Sequence, residues 1–282
     1  MPQIKSELLK LRIEDFSPDA IAESGQCFRM TGDSCGDIRL IAFGRQLTIR
    51  RAAEDTFIFN CSREEFDSIW RGYFDLDTDY SSFRRQIKED DSFLRRAAEF
   101  GTGIRILRQE PFEMLISFII SQRKSIPAIR TSIERLCESF GEKKILPGSG
   151  ERDAGCFYAF PKPEALAAAD EKALSACGLG YRVSYVREAA LKAASGSLKG
   201  FDELPTGELI EALMELKGVG IKVASCVALF GYHRLEVAPV DVWMKRVIDG
   251  VYGGSLPEEY SDCAGVIQQY LFNYARITRL GA

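Results

Sequence analysis

Histidine and tryptophan are scarce in this chain, which has one histidine and two tryptophans among its 282 residues. A single histidine excludes metal sites built from several histidines and argues against a Ser-His catalytic triad. The histidine, His233, stands in the polar segment Gly231-Tyr232-His233-Arg234. That segment predicts a loop with a solvated imidazole.

The chain also lacks paired cysteines and long apolar runs. No C-x-x-C pair occurs, and the eight scattered cysteines predict reduced thiols. The N-terminus, Met1-Pro2-Gln3-Ile4-Lys5, is polar and no apolar run approaches the ~20 residues of a membrane span. These features predict a cytoplasmic protein without a membrane partner, and a nucleoid-associated one if the source is prokaryotic.

Excess positive charge is absent as well. The net charge is −4, which alone argues against a polyanionic partner, although local contacts could outweigh it where Arg123, Lys124 and Arg130 cluster. Hydrophobic residues at 46% and charged residues at 28% are typical of a globular protein. The length predicts two packed units, an N-terminal one over residues 1–100 and a helical one over residues 101–282.

A glycine hairpin near residue 219 is the most informative feature that is present. Pro205 suits a helix start, and leucines recur at helical spacing up to Leu216. Gly218 and Gly220 then permit a tight turn before a second helix, which predicts a helix-hairpin-helix over about residues 207–231. Such a hairpin can present backbone N–H groups to a phosphate, although turns of this kind also serve packing alone.

Two charged residues follow the hairpin. Lys222 comes two positions after the second glycine, so its side chain should project beside the bound phosphate. Asp241 stands in Val237-Ala238-Pro239-Val240-Asp241-Val242, where a loop gives way to a helix, and such an Asp is by default an N-cap.

The segments Gly218-Val219-Gly220-Ile221-Lys222-Val223-Ala224 and Pro239-Val240-Asp241-Val242 resemble the helix-hairpin-helix, Gly/Pro-Asp superfamily of DNA base-excision glycosylases. Lys222, at its position in this segment, is similar to the lysine found in superfamily members that also nick the DNA strand. Three further segments resemble the 8-oxoguanine DNA glycosylase branch: Ser24-Gly25-Gln26-Cys27-Phe28-Arg29, Leu179-Gly180-Tyr181-Arg182 and Gln268-Gln269-Tyr270-Leu271-Phe272. Together the motifs run from about residue 24 to residue 276.

The resemblance implies an α+β fold, in which a small antiparallel sheet similar to half of the TATA-binding-protein fold packs on a mainly helical body. The residues themselves predict strands within 24–61, including 26–30, with a two-residue turn at Gly44-Arg45. They predict a helix over 84–100, a long connecting loop over 141–159, and a C-terminal helix over 258–276. The resemblance implies that this last helix completes the base pocket.

The resemblance assigns catalysis to Lys222 and Asp241. Lys222 would attack C1′ of the deoxyribose, release the base and form a Schiff base that permits β-elimination. Asp241 would cap its helix and stabilise positive charge on the sugar. One lysine would thus account for both base removal and strand nicking.

The resemblance also implies a base pocket. Gly25 would offer its carbonyl to the N7–H that 8-oxoguanine has and guanine lacks. Cys226 and Phe272 would pack on the two faces of the base, and Gln268 would bond its Watson–Crick edge. Without the resemblance, a buried cysteine and a core phenylalanine are the ordinary interpretations.

DNA contacts are implied at three further places. Arg123 occupies the position of a wedge asparagine, Tyr181 would unstack the neighbouring base, and Arg182 would bond the estranged base. The ordinary alternatives are a solvated turn, an interfacial aromatic and a surface cation. Gly218 and Gly220 would bind the backbone phosphate. Ala128 stands where more selective relatives carry an arginine for the opposite cytosine, which makes strict cytosine preference doubtful.

No cofactor is expected, and because only Cys263 lies beyond residue 226 the iron–sulfur cluster of a related branch is excluded. A main-chain cation site could involve the carbonyls of Met214, Leu216 and Val219. The expected partner is duplex DNA containing oxidised guanine, bound by a monomer. Two alternatives stay open: a glycosylase of the same fold for another damaged base, and a non-catalytic helix-hairpin-helix DNA-binding protein.

Overall fold

The structure is a computed structural model that describes residues 8–146 and 155–279. Five antiparallel strands form the N-terminal sheet in the spatial order β1-β5-β4-β3-β2. Their bounds are β1 Leu9–Arg12, β2 Met30–Gly32, β3 Ile38–Ala42, β4 Arg45–Ala53 and β5 Thr56–Phe59. The predicted small antiparallel sheet is therefore confirmed, and β1, which no sequence pattern predicted, extends it beside β5.

The turn between β3 and β4 lies one residue earlier than predicted. Arg45 pairs with Ala42, so the two turn residues are Phe43 and Gly44, at φ 52° and 65°. Two consecutive positive φ values give the turn that suits the twist of a two-residue hairpin. The ring of Phe43 meets Tyr73 edge-on at 5.7 Å, which supports a non-glycine residue in this conformation.

The predicted strand over residues 26–30 is also wrong, because β2 begins only at Met30. Gln26 is fully buried before it, and its side chain donates to the carbonyl of Arg105 at 2.9 Å and accepts from Leu107 N at 2.8 Å. These bonds replace strand pairing and attach residues 24–29 to the segment at 105–107.

Fourteen α-helical segments are described in residues 8–146 and 155–279, besides a π-helix at Phe66–Trp70 and 3₁₀ helices at Gly180–Arg182 and Glu258–Cys263. They are α1 Pro18–Glu23, α2 Arg63–Glu65, α3 Arg71–Tyr73, α4 Tyr80–Arg85, α5 Ser92–Phe100, α6 Pro111–Ser121, α7 Ile126–Phe140, α8 Pro163–Ala167, α9 Glu171–Ala176, α10 Val183–Ala194, α11 Thr206–Met214, α12 Ile221–Phe230, α13 Val242–Val251 and α14 Ala264–Ile277. The predicted helical body is thus confirmed.

Two predicted boundaries need correction. The helix predicted over 84–100 is two helices, because Asp91 caps α5 through a 3.0 Å bond from Leu94 N to its carboxylate. Residues 141–159 are not only a loop, since β6 Lys143–Ile145 pairs antiparallel with β7 Cys156–Tyr158. The middle of that segment, 147–154, lies outside the described residues.

Helix α6 is the centre of the helical core. Residues 113–120 are all buried, and the helix packs against α7, α10 and α12. A second core lies under the sheet, where Trp70 and Phe74 pack with the strand residues Phe57 and Phe59. Helix α12 is the second helix of the helix-hairpin-helix, so its contact with α6 attaches the hairpin to the buried core of the protein.

His233 joins these two parts of the molecule and is not solvated as predicted. Its side chain is 9% exposed, and Nε2 lies 3.3 Å from Asp75 Oδ2 and 3.2 Å from the carbonyl of Ile106. Burial raises the pKa of Asp75, but the hydrogen bond and charge of His233, aided by Arg108, outweigh it and lower that pKa to about 2.

Within residues 8–146 and 155–279, no helix has the length and apolar character needed to cross a membrane.

Candidate active site

The glycine hairpin forms as predicted between α11 and α12. Gly218 has φ +79°, and a Cβ added there would lie 2.2 Å from the ring of Tyr185, so only glycine fits. Gly220 precedes α12 at φ −96°, and a Cβ there would meet open space. Helix α12 has no side-chain N-cap, and its first residues Ile221 and Lys222 are exposed. Its first N–H groups are therefore available to an anion.

Lys222 and Asp241 meet at one cavity, although they belong to different helices. Lys222 is in the first turn of α12, and Asp241 caps α13 by accepting from Met244 N at 2.8 Å. Burial raises the pKa of the Cys226 thiol to about 12, with Lys222 opposing and Asp241 adding to the shift. Both charges therefore act on Cys226, and its thiol remains protonated at neutral pH.

The cavity has a volume of about 150 Å³ and is lined by the predicted base-binding residues. Gly25 has φ +77°, and a Cβ there would lie 3.1 Å from Phe272 Cε1, so this glycine lets the backbone approach the ring. Gln268 is 4% exposed, and its Oε1 accepts from Gln269 Nε2 at 3.0 Å. Catalytic candidates and base-pocket candidates thus share one site.

Comparison with known protein families agrees with this geometry. Residues 8–115 match the model of the 8-oxoguanine DNA glycosylase N-terminal domain, and residues 116–261 match that of HhH-GPD superfamily base excision DNA repair proteins. The chain belongs to the 8-oxoguanine DNA glycosylase family. The family predicted from the sequence motifs is confirmed.

Individual relatives of this glycosylase family member extend the likeness. A probable N-glycosylase/DNA lyase of Methanothermobacter thermautotrophicus is 30% identical, over 76% of this chain and 75% of its own length. The N-glycosylase/DNA lyase of Saccharomyces cerevisiae is 34% identical, over 64% of this chain but only 46% of its own length. A Clostridium acetobutylicum 8-oxoguanine glycosylase/lyase, solved with duplex DNA carrying cytosine opposite 8-oxoguanine, superposes with a TM-score of 0.89 at 34% identity, covering 98% of this chain and 97% of that one.

In this glycosylase family member, the side chains predicted to contact DNA fall into two groups. Some are exposed, and one is hydrogen-bonded within the protein. Arg123 is exposed and Tyr181 is 54% exposed, as DNA contacts require. Arg182 is instead 5% exposed, donates to the carbonyls of Leu179 and Gln122, and lies 4.3 Å from the Tyr181 ring centroid. The interpretation of Arg182 as a surface cation is wrong, because its guanidinium crosses between two loops of the protein.

The predicted cation cluster is likewise reduced to one exposed member. Lys124 Nζ donates to Gly178 O at 2.6 Å and to Ser132 Oγ at 2.5 Å, while burial and the nearby Arg182 lower its pKa. Arg130 donates to the carbonyl of Ala22 at 2.9 Å. Of these three cations, only Arg123 projects outward.

Two residues that line the cavity were not predicted from the sequence to lie there. Lys124 lines the cavity beside Lys222, and Gln269 orients the amide of Gln268. Gln269 follows Gln268 in the quoted motif, so its position was visible, but its role depends on a side-chain contact. Among the described residues no group of three or more His, Cys, Asp and Glu side chains is placed to hold a metal ion. The main-chain cation site stays a prediction; of its carbonyls, Leu216 O accepts from Val219 N at 3.0 Å.

Proposed function

We propose that this protein excises 8-oxoguanine from duplex DNA and then cleaves the strand on the 3′ side of the abasic site. The observation that supports this most is the single cavity of about 150 Å³ shared by Lys222, Asp241, Cys226, Gln268 and Phe272. Family membership indicates a glycosylase reaction. The cavity brings together the amine of Lys222, the carboxylate of Asp241 and a mainly apolar pocket that contains the amide of Gln268.

The target base must leave the duplex before it can enter this cavity, at a cost of a few kcal/mol. The N–H groups at the start of α12, which no side chain caps, suit a backbone phosphate. Arg123 and Tyr181, both exposed, would fill the space that the extruded base leaves in the stack.

Recognition of the oxidised base would depend on Gly25. In 8-oxoguanine N7 carries a hydrogen that can donate to the Gly25 carbonyl, whereas in guanine N7 is an acceptor facing another acceptor. A buried polar group left unpaired costs about 1–3 kcal/mol, which disfavours guanine. Gln268 would bond the Watson–Crick edge while Cys226 and Phe272 hold the faces.

Catalysis would begin when the neutral amine of Lys222 attacks C1′. The Nζ–C1′ bond forms as the C1′–N9 bond breaks, and the base leaves with the bonding electrons and takes up a proton. The covalent adduct rearranges to a Schiff base. Loss of a C2′ proton then expels the 3′ phosphate oxygen, and hydrolysis of the Schiff base releases Lys222.

Asp241 would act on the positive charge that develops on the sugar. One of its oxygens accepts from Met244 N at the start of α13, which fixes the carboxylate at the cavity wall. A negative charge held there stabilises an oxocarbenium-like sugar without rearrangement of the protein.

The direct test is an excision panel with 8-oxoguanine opposite each of the four bases, together with undamaged guanine and a methylated adenine. We expect excision of 8-oxoguanine and none of guanine. Because Ala128 replaces an arginine, the rates opposite the four bases should differ little, and Ala128→Arg should raise the preference for cytosine. Excision of the methylated adenine alone would favour the same-fold alternative, and binding without turnover would favour the non-catalytic one.

A further inference from the structure

Three segments that would face DNA are connected by side chains. The wedge turn is residues 121–124, the glycine hairpin is residues 217–220, and the Tyr-Arg turn is residues 178–182. They come from distant parts of the sequence, and Ser121 and Lys124 of the wedge turn line the candidate active site. Contacts among them determine whether they can act on a duplex as one unit.

The wedge turn has the geometry of a type II β-turn. Lys124 N donates to Ser121 O at 3.1 Å, Gln122 has φ −55° and ψ 123°, and Arg123 has φ 52°. A type II turn requires positive φ at its third residue. Arg123 therefore stands at the exposed tip, and the residue before it, Gln122, determines how that tip is held.

Both amide hydrogens of Gln122 are used within the protein. Nε2 donates to Ile119 O at 3.2 Å, a carbonyl in the last turn of α6, and to Gly218 O at 3.0 Å in the glycine hairpin. The first bond completes the helix end, where carbonyls lack intrahelical partners. The second bond spans 96 residues of sequence and joins the wedge turn directly to the hairpin.

The Tyr-Arg turn is connected to the same residue. The Arg182 guanidinium donates to the carbonyl of Gln122, and Lys124 Nζ donates to Gly178 O at 2.6 Å. Gly218 in turn rests against the ring of Tyr185, which lies 5.9 Å from the ring of Tyr181. Gln122 is therefore the residue that contacts both other segments, one through its side chain and one through its carbonyl.

We propose that Gln122 is a positioning residue that couples phosphate binding by the hairpin to base extrusion by Arg123. The bond to Gly218 holds the tip of the wedge turn at a fixed distance from the hairpin. A duplex held by the hairpin then meets Arg123 in the register needed to enter the stack. This inference rests on the proposed function, because it concerns the extrusion step of that reaction.

The test compares two substrates that differ in their need for extrusion. Gln122→Leu keeps the size of the side chain and removes both donors, and Gln122→Glu keeps its shape but places an acceptor against Gly218 O. For both variants we expect single-turnover excision of 8-oxoguanine opposite cytosine to fall about 5- to 20-fold, as loss of one or two hydrogen bonds would give. Nicking of a pre-formed abasic site, which holds no base to extrude, should change less than about twofold.

Two further experiments distinguish a role of Gln122 in base extrusion from a general structural role. The defect should shrink when the lesion is unpaired in a bulge, because extrusion then costs less. In the Arg123→Ala background, Gln122→Leu should have little added effect, since non-additivity marks residues that act through one another. Gln86→Leu, at an exposed glutamine in another part of the chain, is the matched control and should leave both activities unchanged.

The outcomes are distinguishable. Equal losses on the lesion and on the abasic site, or no loss on either, would overturn the positioning role. Full additivity with Arg123→Ala would overturn the coupling to the wedge. A wild-type protein that nicks abasic sites but never excises 8-oxoguanine would instead contradict the proposed function, and the role of Gln122 in extrusion would fall with it.

Discussion

Arg123 has a backbone conformation that costs stability, at a position proposed to contact DNA. Its φ of 52° is a conformation that glycine and asparagine adopt more readily than arginine. The strain is sustained because the turn is held by Gln122 and Lys124. The family resemblance implies an asparagine at this position, and asparagine adopts the same backbone conformation more readily.

Replacing Arg123 should therefore separate stability from activity. Arg123→Gly is expected to raise the free energy of unfolding by up to about 1 kcal/mol, because the left-handed conformation is no longer strained. The same change should slow excision of 8-oxoguanine, since no side chain remains to enter the stack. Urea denaturation and single-turnover excision check the two parts. Loss of stability would contradict the assignment of strain, and unchanged excision would contradict the wedge role.

Glu113 gives a residue-scale prediction about pH. It is buried in α6, and burial, opposed by Arg29 and reinforced by Glu110 and Glu134, raises its pKa from 4.5 to about 8. The folded protein then binds a proton that the unfolded chain releases, so this group makes stability fall as pH rises from about 4.5 to about 8. Below that window its contribution is fully present.

Glu113→Gln should remove this part of the pH dependence. The variant's stability relative to wild type is expected to increase from pH 5 to pH 8, because glutamine has no proton to lose there. Urea denaturation at several pH values measures the difference. A constant difference across the window would show that Glu113 titrates with an ordinary pKa.

At the scale of the element, the two hairpin glycines are required for different reasons. Gly218 has positive φ and the Tyr185 ring occupies the place of its Cβ, so its requirement comes from packing. Gly220 has an ordinary φ and open space, so the fold itself does not require glycine there. In the proposed function, glycine at that second position would allow a DNA phosphate to approach the backbone closely.

Alanine at each glycine should thus affect a different property, stability at Gly218 and DNA affinity at Gly220. Gly218→Ala is expected to destabilise the protein by about 2 kcal/mol or more through strain and overpacking. Gly220→Ala should leave the melting temperature nearly unchanged while weakening affinity for duplex DNA several-fold. Thermal unfolding and fluorescence anisotropy with a labelled duplex check both. Normal DNA affinity in Gly220→Ala would contradict phosphate binding by the glycine hairpin.

Across the whole molecule, the sequence was informative where signals were local. The hairpin followed from two glycines between periodic helices, and Asp241 caps its helix as its sequence position predicted. The turn at Phe43-Gly44 was misplaced because a phenylalanine with positive φ depends on its contact with Tyr73. The resemblance also implied that Lys222 and Asp241 share a site, and both line one cavity; their chemical roles stay predictions.

Contacts between distant segments could not be read from the chain. The burial of His233 against Asp75, the bonds of Arg182 to a neighbouring loop, and the bond from Gln122 to Gly218 all join residues far apart in sequence. Each side chain is polar and lies in a loop or turn by pattern, so local reasoning predicts solvent exposure. Only the packing of the sheet on the helical body, and of α12 on α6, brings their partners within reach.

The proposed function requires the amine of Lys222 to become covalently attached to the deoxyribose of the damaged nucleotide. The most direct measurement is borohydride trapping with a duplex that contains 8-oxoguanine, resolved by denaturing electrophoresis and mapped by mass spectrometry. We expect a protein–DNA adduct at Lys222 in the wild type and none with Lys222→Gln, a substitution at an exposed position that should leave the fold intact. An absent wild-type adduct, or one that persists in Lys222→Gln, would contradict the account.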